Sequence, residues 1–404
     1  MNTKIVFQEV KSNGVGYWGL LGFLGLFILA GAIAFFTAEH SGHYITGMNN
    51  QIVWGLPHVF AIGLVVAASG ALNIGSMGTV FGKHIYQPLG RLSGLLAMAL
   101  LMGGLIVLVL DLGRADRLIV AMTSYNFKSI FAWNIILYNG FMVLVGLYIW
   151  TMIDPKMKFL YKIAGSAAFV WRLLLTLGTG SIFGFIVARQ FYDAAIMAPL
   201  FIVLSFAVGL AMFNLVLMAA YTGTKRPIGD VLINKLRYLL AVFIGGVFLL
   251  ELARHLTNLY ATEHHGIEAF ILMGDNIYST LFWWVQIGLG TVLPLFLIFC
   301  SRLKNNRKAF VAASVFVIIG AFAQLYVILI GGQAYPLVLF PNAEVTSSFF
   351  DGMVNSYQPS MLELALGLGG MALSLAIVTV AVKVLRFLPI SLADKVVDPH
   401  HCKS

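Results

Sequence analysis

The sequence predicts an all-α polytopic membrane protein with ten transmembrane helices, and three observations carry that prediction. First, 60% of the 404 residues are hydrophobic and 10% are charged, whereas a typical soluble domain is about 25% charged. Second, the mean hydropathy is +0.92. Third, ten apolar runs are long enough, at roughly 20 residues each, to cross a hydrocarbon core. Water-soluble globules and disordered chains are excluded, because neither class carries so much apolar side chain.

The ten runs follow one another along the chain, so residues 1–404 are predicted to form a single integral membrane domain. They lie near residues 17–38, 53–80, 90–112, 129–152, 160–187, 196–221, 236–259, 278–300, 309–330 and 361–385. The first run is longer than a signal-peptide core of about 7–15 residues, and we expect it to remain as a helix. The longest connections, near 260–277 and 331–360, are predicted to be loops.

Lys and Arg are distributed very unevenly between the two sides of a ten-helix arrangement. Nineteen of the 25 lie on the side of the chain ends, five lie on the opposite side, and Arg172 lies within a run. The nineteen are Lys4, Lys11, Lys83, Arg91, Lys156, Lys158, Lys162, Lys225, Arg226, Lys235, Arg237, Arg302, Lys304, Arg307, Lys308, Lys383, Arg386, Lys395 and Lys403. Because basic loops stay in the cytoplasm, both termini are predicted to be cytoplasmic, in a bacterial inner membrane. The net charge of +9 then fits contact with lipid headgroups and not with nucleic acid.

Three of the five basic residues on the opposite side lie in or near one segment. They are Arg114, Arg117, Lys128, Arg189 and Arg254, and the first three lie in or soon after the segment Asp111–Arg117. This segment also contains Asp116 and mixes both signs of charge. It has two interpretations: a charged turn at the headgroups, or a docking surface for a partner protein or a polar ligand head. The second interpretation assigns docking to Arg114, Asp116, Arg117 and Lys128.

Ionisable groups inside membrane spans cost about 2.5–3.5 kcal/mol each by insertion scales, so each one suggests a site. Most of the polar groups fall in the half of the membrane opposite the chain ends. One pocket there is predicted to be lined by His58, Asp111, Thr179, Ser181, Glu251 and His255, with Trp54 and Tyr125 nearby. An apolar pocket with a few polar groups suits a quinone, whose carbonyls accept hydrogen bonds and whose reduction requires protons. The alternatives are a packing role for His58 and bonds from Thr179 and Ser181 to their own helix carbonyls.

Arg172 and Glu251 are predicted to lie at similar depth, and two interpretations follow. One is a static buried ion pair between them. The other is a polar path for protons through the second half of the protein. That path would contain Arg172, Glu251, His255, Gln286 and Gln324, extended by Asn73 and Asn214.

No resident metal cofactor is expected from this chain. Its two cysteines, Cys300 and Cys402, cannot build an iron–sulfur motif. A single haem between His58 and His255 stays open, whereas two stacked haems would need more histidines within the spans. The small residues between Gly70 and Gly82 do not match a phosphate loop, and they favour close helix packing instead.

Four short segments resemble the NrfD/PsrC family, the membrane subunits of quinone-linked reductase and hydrogenase complexes. They are Gln51-Ile52-Val53-Trp54-Gly55-Leu56-Pro57-His58, Ser69-Gly70-Ala71-Leu72-Asn73, Pro88-Leu89-Gly90-Arg91 and Leu110-Asp111-Leu112-Gly113-Arg114. Gly16-Tyr17-Trp18 and the run Tyr125 to Asn134 resemble most the DsrP-type members, which belong to DsrMKJOP complexes of dissimilatory sulfur metabolism. The resemblance covers nearly the whole chain.

The resemblance implies two four-helix bundles, within 53–187 and 196–330, with flanking helices at 17–38 and 361–385. It implies electron exchange between a membrane quinone, either menaquinone or ubiquinone, and a periplasmic ferredoxin-like iron–sulfur subunit of DsrO type, together with other DsrMKJOP-like subunits. His58 matches a quinone-contacting histidine of the family. Gly55 stands where the family has an asparagine, and Thr179 to Ser181 stand near the position of its quinone-facing tyrosine.

The sequence therefore predicts a quinone-interacting subunit of a respiratory oxidoreductase that is not catalytic alone. The competing classes are a transporter or proton translocator, a b-type cytochrome with His58 and His255 as ligands, and a structural anchor. Proton flux without redox partners would favour the first class. A stoichiometric Soret band would favour the second.

Overall fold

The computed structural model describes residues 5–11, 14–303, 306–337 and 352–397. Several residues that carry sequence predictions lie outside these ranges. They are Lys4, Lys304, Lys403, Cys402 and residues 338–351 of the predicted loop near 331–360.

The described residues contain ten helices that are long and apolar enough to cross a membrane, which confirms the prediction. Numbered in chain order, spans 1 to 10 are Val15–Ser41, Leu56–Thr79, His84–Leu110, Ile130–Ile153, Pro155–Gly184, Met197–Gly223, Asp230–Tyr260, Ile277–Phe299, Arg307–Ala334 and Met361–Val384. The chain is thus a multi-pass integral membrane protein. The largest differences from prediction are at the starts of spans 3 and 7, where polar residues continue the helix beyond the apolar run.

The first and last described segments of the chain lie at one face of the helical body, here called the terminal face. Strand β1, Phe7–Gln8, pairs antiparallel with strand β2, Leu388–Pro389. The guanidinium of Arg226 donates hydrogen bonds to backbone carbonyls of both strands, including those of Gln8 and Leu388. The opposite face, here called the far face, carries the connections 42–55, 111–129, 185–196 and 261–276.

Span 2 lies at the centre of the molecule, and 94% of an apolar stretch of 18 residues within it is buried. It packs against spans 3, 5, 6, 9 and 10. A Cβ atom on Gly70 would lie 1.6 Å from the carbonyl oxygen of Ser205, and one on Gly209 would meet the backbone of Ala71 at 2.3 Å. Glycine at both positions lets spans 2 and 6 touch backbone to backbone, which confirms the packing role predicted for this small-residue segment.

The remaining helices pack along this centre. Spans 2 to 5 contact one another in sequence, as do spans 6 to 9. The division into two bundles stays a prediction, because the close contact between spans 2 and 6 crosses the proposed boundary. Spans 1 and 10 pack together, meeting at Gly31 and Gly369, and span 10 also packs on spans 2 and 3.

Short helices interrupt the far-face connections, including the one near 260–277 that was predicted to be a loop. They are His43–Ile45, Ala115–Arg117, Leu118–Thr123, Thr262–His264 and His265–Leu272. The helix His265–Leu272 forms because Ile267 and Ile271, one turn apart, are buried against the core. On the terminal face, Asp394–Val397 forms a last short helix.

Spans 8 and 9 each contain a stretch of π-helix, at Leu281–Val292 and Val327–Gly331. π-Helical turns are rare and occur frequently at functional sites. Gln286 lies within the first stretch, and Gln324 and Gln333 flank the second. All three side chains take part in the sites described next.

Candidate functional site

His58 and Asp111 meet at the far face, between the first turns of span 2 and the end of span 3. Their Nδ1 and Oδ2 atoms lie 2.9 Å apart, but neither atom makes a hydrogen bond of acceptable geometry. The His58 side chain is 17% exposed and that of Asp111 is 4% exposed. The pair therefore holds a partly accessible imidazole beside a buried carboxylate, and the structure brings together two of the residues predicted to line the quinone pocket.

Trp54 forms the centre of an aromatic cluster next to this pair. Its ring centroid lies 6.4 Å from that of His58 and 5.9 Å from that of Phe183. It is also 6.2 Å from Phe131 and stacks on Tyr192 at 6.4 Å. Phe131 is 48% exposed. The aromatic wall therefore runs from the protein interior to the surface, a shape that suits a planar ring entering from the lipid.

The backbone around Trp54 is fixed by polar side chains from distant parts of the chain. The Gln333 side chain accepts hydrogen bonds from the backbone N–H groups of Val53 and Trp54, each at 3.0 Å, and donates to the Trp54 carbonyl. Arg189 donates to the carbonyls of Gln333 and Gln51. Burial lowers the pKa of Arg189. These contacts hold the indole in one position, which sequence spacing alone could not indicate.

Tyr192 completes this framework. Its hydroxyl donates to the backbone carbonyl of Leu329, and burial raises the pKa of the hydroxyl. The phenol therefore remains protonated and keeps its ring against Trp54.

Three further residues predicted for the quinone pocket are buried within the protein. The Thr179 hydroxyl donates to the Leu175 carbonyl of its own helix at 2.8 Å. Ser181 is buried in the same span. Gly55 is buried, and a Cβ there would lie 2.5 Å from the Glu363 carboxylate and 2.7 Å from the Tyr357 hydroxyl. Gly55 is therefore required for close packing against the segment before span 10, and its predicted quinone contact stays a prediction.

The predicted docking residues lie on the far face, next to Asp111. Arg114 and Asp116 are each 66% exposed and approach to 3.5 Å. Arg117 and Lys128 are also exposed. The short helix Leu118–Thr123 presents exposed apolar side chains at Ile119 and Val120, and Tyr125 lies partly buried after it. This segment is an exposed surface of mixed charge and apolar character beside the His58 site.

A second polar cluster lies inside spans 7, 8 and 9. The Glu251 carboxylate accepts hydrogen bonds from Arg254 at 2.7 Å, Gln286 at 3.2 Å and Gln324 at 3.1 Å. Its Oε1 also lies 3.3 Å from Nε2 of His255. Four residues of the predicted proton path are in this way brought together: Glu251, His255, Gln286 and Gln324.

Glu268 belongs to the same cluster, although no sequence pattern pointed to it. Its Oε2 lies 2.6 Å from Nδ1 of His255, and its Oε1 accepts from Asn258 at 2.8 Å. Glu268 is fully buried by the helix His265–Leu272. Because it lies in a connection and not in a span, its charge carried no membrane-insertion signal. Arg254, also absent from the predicted path, is stacked 4.3 Å from the Phe191 ring.

The predicted ion pair between Arg172 and Glu251 is not formed. Arg172 donates to the Asn73 side chain at 2.9 Å and lies over the rings of Phe169 and Phe206. Glu251 instead pairs with Arg254, three residues along the same helix. Similar depth does not bring two side chains together when their helices face different neighbours, so Arg172 is not part of the cluster. Asn214 lies elsewhere, with its amide 3.5 Å from Ser314.

The residues present do not fit a haem ligated by His58 and His255. Both ring nitrogens of His255 face carboxylates, and His58 faces Asp111 and Trp54 instead of His255. Within the described ranges, no group of three or more His, Cys, Asp or Glu side chains is arranged to hold a metal ion.

Comparisons with known proteins agree with this membrane architecture. The family described as Polysulphide reductase, NrfD matches residues 44–336, more than half of the chain. The chain belongs to the NrfD family. The matched range of this NrfD-family chain contains His58, Asp111, Trp54 and the whole Glu251 cluster.

Curated relatives match almost the entire length of the NrfD-family chain. An Hdr-like menaquinol oxidoreductase integral membrane subunit from Archaeoglobus fulgidus is 25% identical over 399 residues, covering 98% of this chain and 99% of its own. A selenate reductase subunit from Mesobacillus selenatarsenatis is 25% identical over 429 positions, covering 96% and 97%. A putative dimethyl sulfoxide reductase membrane subunit from Halobacterium salinarum is 26% identical over 414 positions, covering 93% and 92%. All three are named as oxidoreductase subunits, and the first and third names specify a membrane subunit.

Proposed function

We propose that this chain is the quinone-interacting membrane subunit of a respiratory oxidoreductase complex, and that the quinone headgroup binds beside His58, Asp111 and Trp54. One observation carries the proposal: a partly exposed histidine and a buried carboxylate, whose facing Nδ1 and Oδ2 atoms lie 2.9 Å apart without an aligned hydrogen bond, stand at the end of an aromatic wall that reaches the surface. Unpaired buried polar atoms are costly. A ligand that supplies a hydrogen-bonding oxygen removes that cost.

The chemistry follows from the two side chains. Oxidation of one quinol to quinone releases two electrons and two protons. The Nε2 atom of His58 takes one proton from one quinol hydroxyl, and Asp111 stabilises the imidazolium that results. The second proton passes to water at the far face, and both electrons go to the partner subunit. The same groups return the proton when quinone is reduced, so the site works in either direction. Within the described residues the His58 side chain makes no hydrogen bond of acceptable geometry, and Nδ1 is the atom that faces Asp111, so Nε2 remains available.

The aromatic wall positions the ring and excludes water from it. Trp54 is fixed by Gln333 on one side and by Tyr192 on the other. Offset stacking of aromatic rings contributes about 0.5–1.5 kcal/mol beyond the area that it buries. The apolar tail of either menaquinone or ubiquinone remains in the lipid. The relative named as a menaquinol oxidoreductase subunit supports a quinone as the ligand.

Electrons pass to a partner subunit, since no resident redox group is assigned to this chain. The exposed segment with Arg114, Asp116, Arg117 and Lys128 lies next to Asp111. A ferredoxin-like iron–sulfur subunit of DsrO type docked there would have its cluster close to the quinone. The sequence resemblance to DsrP-type subunits supports a DsrMKJOP-like complex in sulfur metabolism.

The far face is proposed to be periplasmic and the terminal face cytoplasmic, in a bacterial inner membrane. The support is the distribution of 19 of the 25 Lys and Arg residues on the side of the chain ends. Arg91 and Arg226 of this set hold the terminal-face strands and connections together. With this orientation, quinol oxidation at His58 releases protons towards the periplasm.

Quinone binding is measurable through tryptophan fluorescence, because quinones quench an indole at contact distance. Menadione added to the purified protein should quench one of the seven tryptophans strongly, and Trp54→Phe should remove that component. Trp150→Phe is the matched control, since Trp150 is exposed at the opposite end of span 4. Equal quenching of the wild-type and Trp54→Phe proteins would place the quinone elsewhere.

A further inference from the structure

His255 lies between two buried carboxylates. Its Nδ1 is 2.6 Å from Glu268 Oε2, and its Nε2 is 3.3 Å from Glu251 Oε1. A neutral imidazole carries one N–H and therefore donates to one of these oxygens only. Both carboxylate contacts are favourable together only when both ring nitrogens carry hydrogen. When Nε2 carries none, it can instead accept from the Arg254 guanidinium, 3.4 Å away.

The charges of the cluster balance in that same state. Glu251 and Glu268 are opposed by Arg254 and by the doubly protonated imidazole of His255. Loss of one proton leaves one net negative charge in a buried place, which is expensive. The other groups that face His255 and its carboxylates are uncharged: Asn258, Gln286, Gln324, Phe191 and Phe282. The cluster therefore has two states that differ by one proton.

A small cavity reaches the cluster from within spans 6 to 9. Its volume is about 30 Å³, and its polar lining residues are Glu251, Gln286, Thr291 and Gln324. A water molecule needs at least about 10–15 Å³ of such volume. The Oε1 atom of Gln286 has no hydrogen-bond partner. The cavity can therefore hold a water molecule that exchanges a proton with Glu251.

Two consecutive residues join this cluster to the proposed quinone site. The Phe191 ring lies 4.3 Å from the Arg254 guanidinium and 6.4 Å from the His255 ring. The next residue, Tyr192, stacks on Trp54. Both side chains are 1% exposed. The contact of a bound ring with the Trp54–Tyr192 pair is in this way coupled to the surroundings of Arg254 through one peptide unit.

We propose that Glu251, His255 and Glu268 form a proton-binding site whose occupancy changes by one proton when quinone is reduced or oxidised beside Trp54, with Phe191 and Tyr192 as the connection. The proton leaves from, or arrives at, the imidazole of His255 by way of Glu251 and the cavity. No electron enters the cluster. This inference rests on the proposed function, since it requires a quinone at Trp54.

Infrared difference spectra of the purified protein, with bound menadione cycled electrochemically, test the proposal. The wild-type protein should show quinone bands together with carboxylate and imidazole bands. Glu268→Gln should keep the quinone bands and lose more than half of the carboxylate and imidazole intensity. Glu263→Gln is the matched control, because Glu263 lies five residues away with 75% of its side chain exposed. It should give the wild-type spectrum.

Phe191→Leu tests the connection without altering any polar group of the cluster. It should keep the quinone bands and reduce the cluster bands by more than half, even if Glu268→Gln does not fold. Cluster bands that are unchanged in Phe191→Leu, or in a folded Glu268→Gln protein, would overturn the inference. Absence of quinone bands from the wild-type protein would instead overturn the proposed function.

Discussion

The two polar sites of this chain differ in how completely their carboxylates are hydrogen-bonded. At the far-face end of spans 2 and 3, His58 and Asp111 are close but make no aligned hydrogen bond, and the imidazole is partly exposed. In spans 7 to 9, every oxygen of Glu251 and Glu268 has a partner within the cluster. The first arrangement leaves capacity for a ligand, whereas the second stabilises charge that is already present.

This difference indicates what each site can do. A partly unpaired site gains free energy when a ligand binds, because the ligand satisfies atoms that are otherwise costly. A buried carboxylate whose oxygens are all paired gains little from a ligand, and its removal leaves its buried partners uncompensated. Quinone chemistry is therefore assigned to the His58 site in this proposal, and proton storage to the Glu251 cluster.

The largest expected effect is on stability, from removal of one carboxylate of the paired cluster. Glu251→Leu leaves the Arg254 guanidinium buried without its carboxylate, and we expect a loss of about 3–5 kcal/mol in the free energy of unfolding. Thermal unfolding in detergent measures this effect. Glu263→Leu, at an exposed position, should unfold like the wild type. A Glu251→Leu protein with wild-type stability would show that the cluster is not a tightly coupled network.

The next effect is on turnover at the partly unpaired site. His58→Ala removes a hydrogen bond to a charged or developing charged group, about 1.5–3 kcal/mol, so quinone turnover by the complex should fall roughly 10–100-fold. Assembly and unfolding temperature should stay unchanged. His84→Ala, exposed on the terminal face, is the control. Wild-type quinone kinetics in His58→Ala would remove His58 from the site.

Gly55→Ala tests whether Gly55 serves close packing or contact with the quinone. The new Cβ would lie 2.5 Å from the Glu363 carboxylate, so we expect a loss of about 1–3 kcal/mol in unfolding free energy from overpacking. Gly25→Ala, which has open space around it, is the control. Unchanged stability with weakened quinone binding would assign Gly55 to the pocket instead of to packing.

The smallest effect on stability is expected at the docking segment. Arg117→Gln alters an exposed side chain, so its unfolding free energy should stay within about 0.5 kcal/mol of the wild-type value. The amount of partner subunit that co-purifies should decrease. Lys156→Gln, exposed on the terminal face, should retain the partner in full. Equal recovery from both variants would place docking on another surface.

The fold could be predicted from the sequence because a bilayer imposes a minimum apolar length on every span. The sequence also predicted that His58, Trp54 and Asp111 lie together, since each lies within a turn or two of the far-face end of its helix. The depth of these residues in the membrane was sufficient to predict their proximity, because spans 2 and 3 are neighbours. Prediction of the spans and of this proximity required no knowledge of helix rotation.

The depth of a residue in the membrane did not predict contacts that depend on helix rotation or on segments distant in the sequence. Arg172 and Glu251 face different helices, so their similar depth did not produce an ion pair. Glu268 reaches the cluster from a connection that was predicted to be a loop. The aromatic pair Phe191–Tyr192 was visible in the sequence, but its position between the two sites depends on tertiary packing.

Photoaffinity labelling with an azido-quinone, performed on the protein purified with its associated subunits, locates the quinone site in the chain. We expect peptides containing Trp54 and His58, or Asp111, to carry the label, and excess menadione to prevent the labelling. Label located in spans 7 to 9 near Glu251, or label that menadione does not displace, would contradict a quinone site at His58.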